Sequence, residues 1–233
     1  MMEINLEVEL AACSRILGES LEKLIRPLLE KRPSPENSPA QSFKLFSRNF
    51  ARQVLAFLDP QRDLSASQIL VLENGTGILA RLLAERDVDI VAAAPTENTA
   101  RLANLLNPYP SIIYRWFNPF PPVDSFDLII DSGILPYYPA GLVCELLHFL
   151  AGPCRRKMIV PFRTKLPWYQ RRPGREKSPA SSGFEPAEGC VFSRKEIAAL
   201  IEKDCGMILS ETREALGGTI LVKALKIPPS RRS

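Results

Sequence analysis

Histidine is nearly missing from this chain: His148 stands alone among 233 residues. A single imidazole excludes a His-rich metal site and any reaction that needs two imidazoles. Set in an apolar helical pattern, His148 reads as a core or boundary residue. The five cysteines (Cys13, Cys144, Cys154, Cys190, Cys205) are scattered, odd in number and without a C-x-x-C pair. That spacing fits reduced thiols and excludes a disulfide framework or a zinc site, so no metal is expected. Long apolar runs are also lacking. The longest, Gly141 to Gly152, is interrupted by Glu145 and His148 and falls short of the ~18 residues of a spanning helix. The opening Met1-Met2-Glu3-Ile4-Asn5-Leu6-Glu7 carries acids where a secretory leader carries Lys or Arg, so no export signal is read and a cytoplasmic location is expected. Neither sign of charge dominates. Thirty Lys and Arg against 26 Asp and Glu leave a net +4, too little by itself to call for a nucleic-acid partner.

What the chain has is the apolar content of a soluble globular protein, 45%, and enough length to bury a core without staples. That length corresponds to one large domain, or one domain with an appendage. Proline is in excess, at 21 residues, and its clusters mark the joints. Leucines at 10, 17, 21, 24 and 28 predict a helix over 4–30, with Pro27 in its last turn. Arg32-Pro33-Ser34-Pro35-Glu36-Asn37-Ser38-Pro39 is a linker by composition. Phe43, Phe46, Phe50, Val54 and Phe57 then line one face of a second helix, a stripe read as core packing, which Asp59-Pro60 ends.

From Gln68 the period changes. Ile69-Leu70-Val71-Leu72 is a short continuous apolar run, the mark of a strand buried on both faces. Further strands are expected at 89–93, 111–114, 126–131 and 157–161, separated by helices at 78–85, 96–106 and 140–150. This alternation predicts a doubly wound α/β sheet, mostly parallel. Residues 163–188 are rich in Pro, Ser, Gly and charge and are expected to form a flexible basic loop. Ser193-Arg194-Lys195-Glu196 is a capping box opening a helix to about residue 203. Strands at 207–214 and 219–225, joined through Leu216-Gly217-Gly218, close the chain with an antiparallel hairpin. The expected division is a helical lid or extension over 1–60, the α/β domain over 61–227 and a tail over 228–233.

In an open parallel sheet the ligand crevice lies beyond the carboxyl ends of the strands, where strand order reverses. The turn Glu73-Asn74-Gly75-Thr76-Gly77 leads from the first strand into a helix at that place, and its glycines allow close backbone approach. Ile69-Leu70-Val71-Leu72-Glu73-Asn74-Gly75-Thr76-Gly77-Ile78-Leu79-Ala80 resembles the first motif of the class I S-adenosylmethionine-dependent methyltransferases. So do Asn118-Pro119-Phe120-Pro121, Ser125-Phe126-Asp127-Leu128-Ile129-Ile130 and Gly133-Ile134-Leu135-Pro136-Tyr137-Tyr138. Together with the closing helix and hairpin, the resemblance covers 68–225.

It implies a seven-stranded Rossmann-like sheet and S-adenosylmethionine as cofactor. The turn Glu73, Asn74, Gly75, Thr76 and Gly77 would hold the methionine part, with Trp116 and Phe117 beside the adenine. It implies a transferase; if a base is used, Asp131, at the end of the fourth strand, is best placed, with Tyr137 near it, and a capping or loop-bracing role for Asp131 is equally compatible. Tyr138, Arg163, Trp168 and Tyr169 would face the substrate. Three positions depart from the family pattern. Val71 replaces the leading acid, Glu73 replaces the first glycine, and Ala92-Ala93-Ala94-Pro95 ends the second strand without the ribose-binding acid.

Three functions are compatible with these residues. The first is a methyltransferase acting on a small molecule, favoured because the chain has no separate recognition domain. The second is a protein that keeps the fold, has lost the cofactor and binds a protein partner, motivated by Val71, Glu73 and Ala94. The third is a nucleic-acid-directed methyltransferase, motivated by Arg163, Lys165, Arg171, Arg172, Arg175 and Lys177 around Trp168-Tyr169. The leucine stripe of the first helix is also suited to pairing with a second copy, and the sequence does not fix the oligomeric state.

Overall fold

The computed structural model describes residues 6–30, 38–59, 63–64, 68–117, 125–164 and 190–227. Asn118-Pro119-Phe120-Pro121, Trp168, Tyr169 and the basic loop beyond Thr164 lie outside the described residues.

Two long helices come first, α1 (Leu6–Leu29) and α2 (Pro39–Phe57). Ser38 caps α2 by accepting from the Gln41 N–H at 3.3 Å, and Pro39 occupies the first turn, where no N–H is missed. The sheet and its crossovers follow: β1 (Ile69–Leu72), α3 (Ile78–Ala84), β2 (Ile90–Ala94), α4 (Glu97–Leu106), β3 (Ile112–Trp116) and β4 (Phe126–Asp131). A 3-10 turn (Leu135–Tyr137), α5 (Ala140–Ala151) and β5 (Cys154–Arg163) complete the parallel part. The chain ends with α6 (Arg194–Ala199), which widens into a π turn over Leu200–Asp204, then β6 (Met207–Ala215) and β7 (Thr219–Lys226).

The seven strands lie in the order β3-β2-β1-β4-β5-β7-β6. β1 to β5 pair in parallel and β7 runs antiparallel to both its neighbours. The expected mostly parallel seven-stranded sheet with a closing hairpin is therefore present. The predicted capping box is formed as well: Ser193 Oγ accepts from Glu196 N at 3.3 Å while Glu196 Oε2 accepts from Ser193 N at 2.6 Å. Boundaries shift by a residue or two, β3 reaching Trp116, and most at β5. β5 begins at Cys154 and not at 157, because Cys154 already pairs with Phe126 and a register irregularity in β4 absorbs the offset.

Period-two alternation distributes β1 between two cores. Leu70 and Leu72 join α1, α5 and Phe43 on one side, while Ile69 and Val71 join α2 and α3 on the other. The sequence reversal in strand order falls between β1 and β4, so the crevice opens above Leu72 and Asp131, which are paired in register.

Candidate functional site

The turn after β1 is braced by the protein's own groups. Glu73 is fully buried, and its carboxylate accepts from Gly77 N at 3.1 Å and Ala80 N at 3.2 Å. It therefore caps α3, whose preceding residue Gly77 sits at φ +69° and offers no capping side chain. Val71, two residues earlier on the same face, points into the core beneath α3 and is also fully buried. Burial pushes the Glu73 carboxyl up to about 7 despite the two backbone donors, and Asp131 nearby adds to the rise.

Asn74 Oδ1 accepts from Thr76 N at 3.2 Å and from Thr76 Oγ1 at 2.8 Å, and Asn74 Nδ2 donates to Ser47 Oγ and Ser132 O, each at 3.3 Å. Gly75 takes φ +85°, a conformation that favours glycine.

Asp131, at the end of β4, is likewise fully buried. Its carboxylate accepts three backbone N–H groups, from Gly133 (3.1 Å), Ile134 (2.8 Å) and Leu135 (3.0 Å). Burial nonetheless raises its pKa to about 7. The carboxylate fixes the loop that carries the 3-10 turn, and so positions Tyr137 and Tyr138. Tyr138 is buried and its hydroxyl pairs with Ser14 Oγ of α1 at 2.9 Å. Tyr137 is partly buried near Arg163, with its phenol pushed up to about 12 by burial.

α1 crosses above the crevice. Its contacts step along the carboxyl ends of the strands: Ser14 on Tyr138 beyond β4, Gly18 on Thr96 beyond β2, Ile25 on Gly75 beyond β1. At Gly18 any β-carbon would collide with Thr96 Cγ2, so this glycine lets the helix descend onto the strand ends. A β-carbon placed on Gly75 would lie 2.5 Å from Ile25 Cδ1. Ile25 thus fills the space over the first glycine of the turn. Only the small residues Ser14 and Gly18, within an otherwise leucine-rich face, hinted at this close approach.

Farther along the crevice α1 stands away from the sheet. A cleft of about 470 Å³ opens there between Ala11, Ala12, Ser14 and Arg15 of α1 and the ends of β2 and β3. Pro95, Thr96, Glu97, Trp116 and Phe117 form its other wall. Phe117 is buried and anchored by its N–H to Ala94 O at 3.0 Å, while Trp116 is exposed on the edge strand. Glu97, in the first turn of α4, is the carboxylate on this wall. The structure thus brings Trp116 and Phe117 together with Glu97 and separates them from the Glu73–Gly77 turn by α1. His148 is exposed at the far end of α5, its Nδ1 2.7 Å from Asp204 O. Among the described residues no group of His, Cys, Asp and Glu is arranged to hold a metal ion.

No protein-family model matches the chain, and no curated protein matches it in sequence. Solved structures do match in fold. Magnesium protoporphyrin IX methyltransferase from Synechocystis PCC 6803 with SAM bound is 14% identical, covers 97% of this chain and 100% of its own, and superposes with a TM-score of 0.64. The N-methyltransferase NodS from Bradyrhizobium japonicum WM9 in complex with S-adenosyl-L-homocysteine is 14% identical over 90% of this chain and 98% of its own, with a TM-score of 0.59. The mitomycin 7-O-methyltransferase MmcR is 16% identical over 91% of this chain and 67% of its own, with a TM-score of 0.58. At these identities the likeness is one of architecture, and it extends through both N-terminal helices. The chain has the fold of the class I S-adenosylmethionine-dependent methyltransferases.

Proposed function

We propose that this chain is an S-adenosylmethionine-dependent methyltransferase acting on a small molecule. The observation that carries the reading is the cleft at the ends of β2 and β3, in a sheet of this strand order with a glycine turn after β1. Structural neighbours bind SAM or its demethylated product, and two are named for small-molecule substrates.

The residues present fit one half of that cofactor. Trp116 and Phe117 offer aromatic surface to an adenine, and Glu97 is the carboxylate available to ribose hydroxyls in place of an acid at Ala94. At the methionine half the cradle over Gly75 is filled by Ile25, so the structure does not fit the whole cofactor with α1 where it stands. When bound, S-adenosylmethionine supplies an electrophilic methyl group, and alignment accounts for most of such a transfer. The chain contributes position. Asp131 fixes the loop bearing Tyr137, and Arg163, at the end of β5, offers a cation to the substrate side. Glu73 and Asp131 are both turned onto backbone N–H groups, and the Tyr137 phenol titrates high. The acceptor is therefore a group that is nucleophilic without help from a strong protein base.

A second reading is favoured by the same Ile25 contact and by the missing ribose acid: a protein that keeps the fold for binding a partner. Calorimetric titration with S-adenosylhomocysteine separates the two. The enzyme reading expects binding that weakens about tenfold in Trp116→Ala, the scale of one lost base-stacking contact. No binding to folded protein at millimolar ligand would leave the second reading.

A further inference from the structure

We propose that Ile25 is a plug, and that its side chain, with the last turn of α1 around Pro27, must withdraw from Gly75 for the cofactor's methionine part to enter. This rests on the methyltransferase reading and assigns the control of its site to α1.

Three observations converge. First, Ile25 Cδ1 occupies the approach to Gly75, the one residue in the turn whose bare backbone faces α1. Second, the open cleft stops short of that point: its lining ends on α1 at Arg15 and does not include any residue of the Glu73–Gly77 turn. A ligand seated on Trp116, Phe117 and Glu97 with an extended polar tail therefore meets α1 on the way to the glycines. Third, Ile25 stands two residues from the weakest point of the helix. Pro27 has no N–H for the carbonyl of Lys23 and its ring crowds that turn. The last turn of α1 can therefore bend away at Lys23 to Pro27 while Leu10, Ser14, Leu17 and Leu21 stay docked. The apparent affinity for the cofactor is then the intrinsic one reduced by the fraction of molecules with the plug withdrawn.

The test pairs S-adenosylhomocysteine titration of the wild type and Ile25→Ala with hydrogen–deuterium exchange over residues 19–29 of the wild type, free and saturated. The expected result is an affinity gain of about tenfold in Ile25→Ala and faster exchange of residues 19–29 on saturation. Ile25→Val should fall between the two proteins. Equal affinities, with exchange over 19–29 unchanged or slowed by ligand, would overturn the plug and leave the methyltransferase reading standing. If neither folded protein binds, the methyltransferase reading fails and the plug with it. Should Ile25→Ala not fold, exchange in the wild type decides alone, because a docked plug predicts faster exchange and a bystander helix does not.

Discussion

Glu73 and Asp131 are two fully buried carboxyls, each anchored by backbone N–H donors and each driven by burial to titrate near 7. A carboxyl whose folded pKa lies above its unfolded value ionises more readily in the unfolded chain. Stability therefore falls as pH rises from about 4.5 through 7 and is flat above. A shift of this size corresponds to roughly 3 kcal/mol for Glu73. Urea unfolding at pH 5 and pH 8 is expected to show the wild type losing stability at the higher pH, and Glu73→Gln losing less. An equal loss in both would remove Glu73 as a contributor. At Asp131 the prediction is structural. Asn keeps one acceptor oxygen for three N–H groups, so Asp131→Asn should cost about 1–3 kcal/mol in unfolding free energy. The sequence shows both acids and the turn Asn74-Gly75-Thr76. It does not show that the Glu73 side chain runs beneath the turn to α3, because that depends on Gly77 leaving the helix end uncapped.

α1 was legible as an amphipathic helix and was expected within a helical lid or extension, but which strand ends it meets was not legible. A leucine stripe says that one face is buried, not against what, and Leu10, Leu17, Leu21, Leu24 and Ile25 would suit a partner helix as well. Their burial also limits the motion. At about 1.5–3 kcal/mol each, lifting all five would consume or exceed the roughly 8 kcal/mol of a micromolar ligand, whereas withdrawing Ile25 alone lies within it. The Ser14–Tyr138 hydrogen bond pins the part of α1 that stays docked. A double-mutant cycle with Ser14→Ala and Tyr138→Phe should give a coupling of about 1 kcal/mol in urea unfolding. Coupling near zero would mean that α1 is not held there.

Across the molecule, the alternation of strands and helices and the closing hairpin followed from apolar period and turn chemistry, and the structure has both. What joins the N-terminal helices to the far edge of the sheet was not legible, since it depends on charges distant in sequence. Asp63, just beyond α2, is buried with its carboxylate on Lys157 Nζ of β5, on Asp59 N (2.8 Å) and near Lys223 Nζ of β7 (3.7 Å). Lys223 also pairs with Glu211 at 3.1 Å and stands 4.7 Å over the Phe57 ring. Burial favours the neutral acid, but the lysines and the Asp59 N–H outweigh it and hold Asp63 below its usual range. Its contribution is thus present above the ordinary carboxylate pKa and is lost as pH falls through the lowered one. Asp63→Asn should destabilise the protein by about 3 kcal/mol at pH 7 by leaving Lys157 without its acid, with the difference shrinking below pH 4. A constant difference across that range would rule out a charge effect.

The most direct measurement is a crystal structure of the wild type grown with saturating S-adenosylhomocysteine. The account predicts an adenine against Trp116 and Phe117, ribose hydroxyls on Glu97, and Ile25 withdrawn from Gly75. Crystals of folded protein with Ile25 still seated on Gly75 and no ligand in the cleft would contradict it.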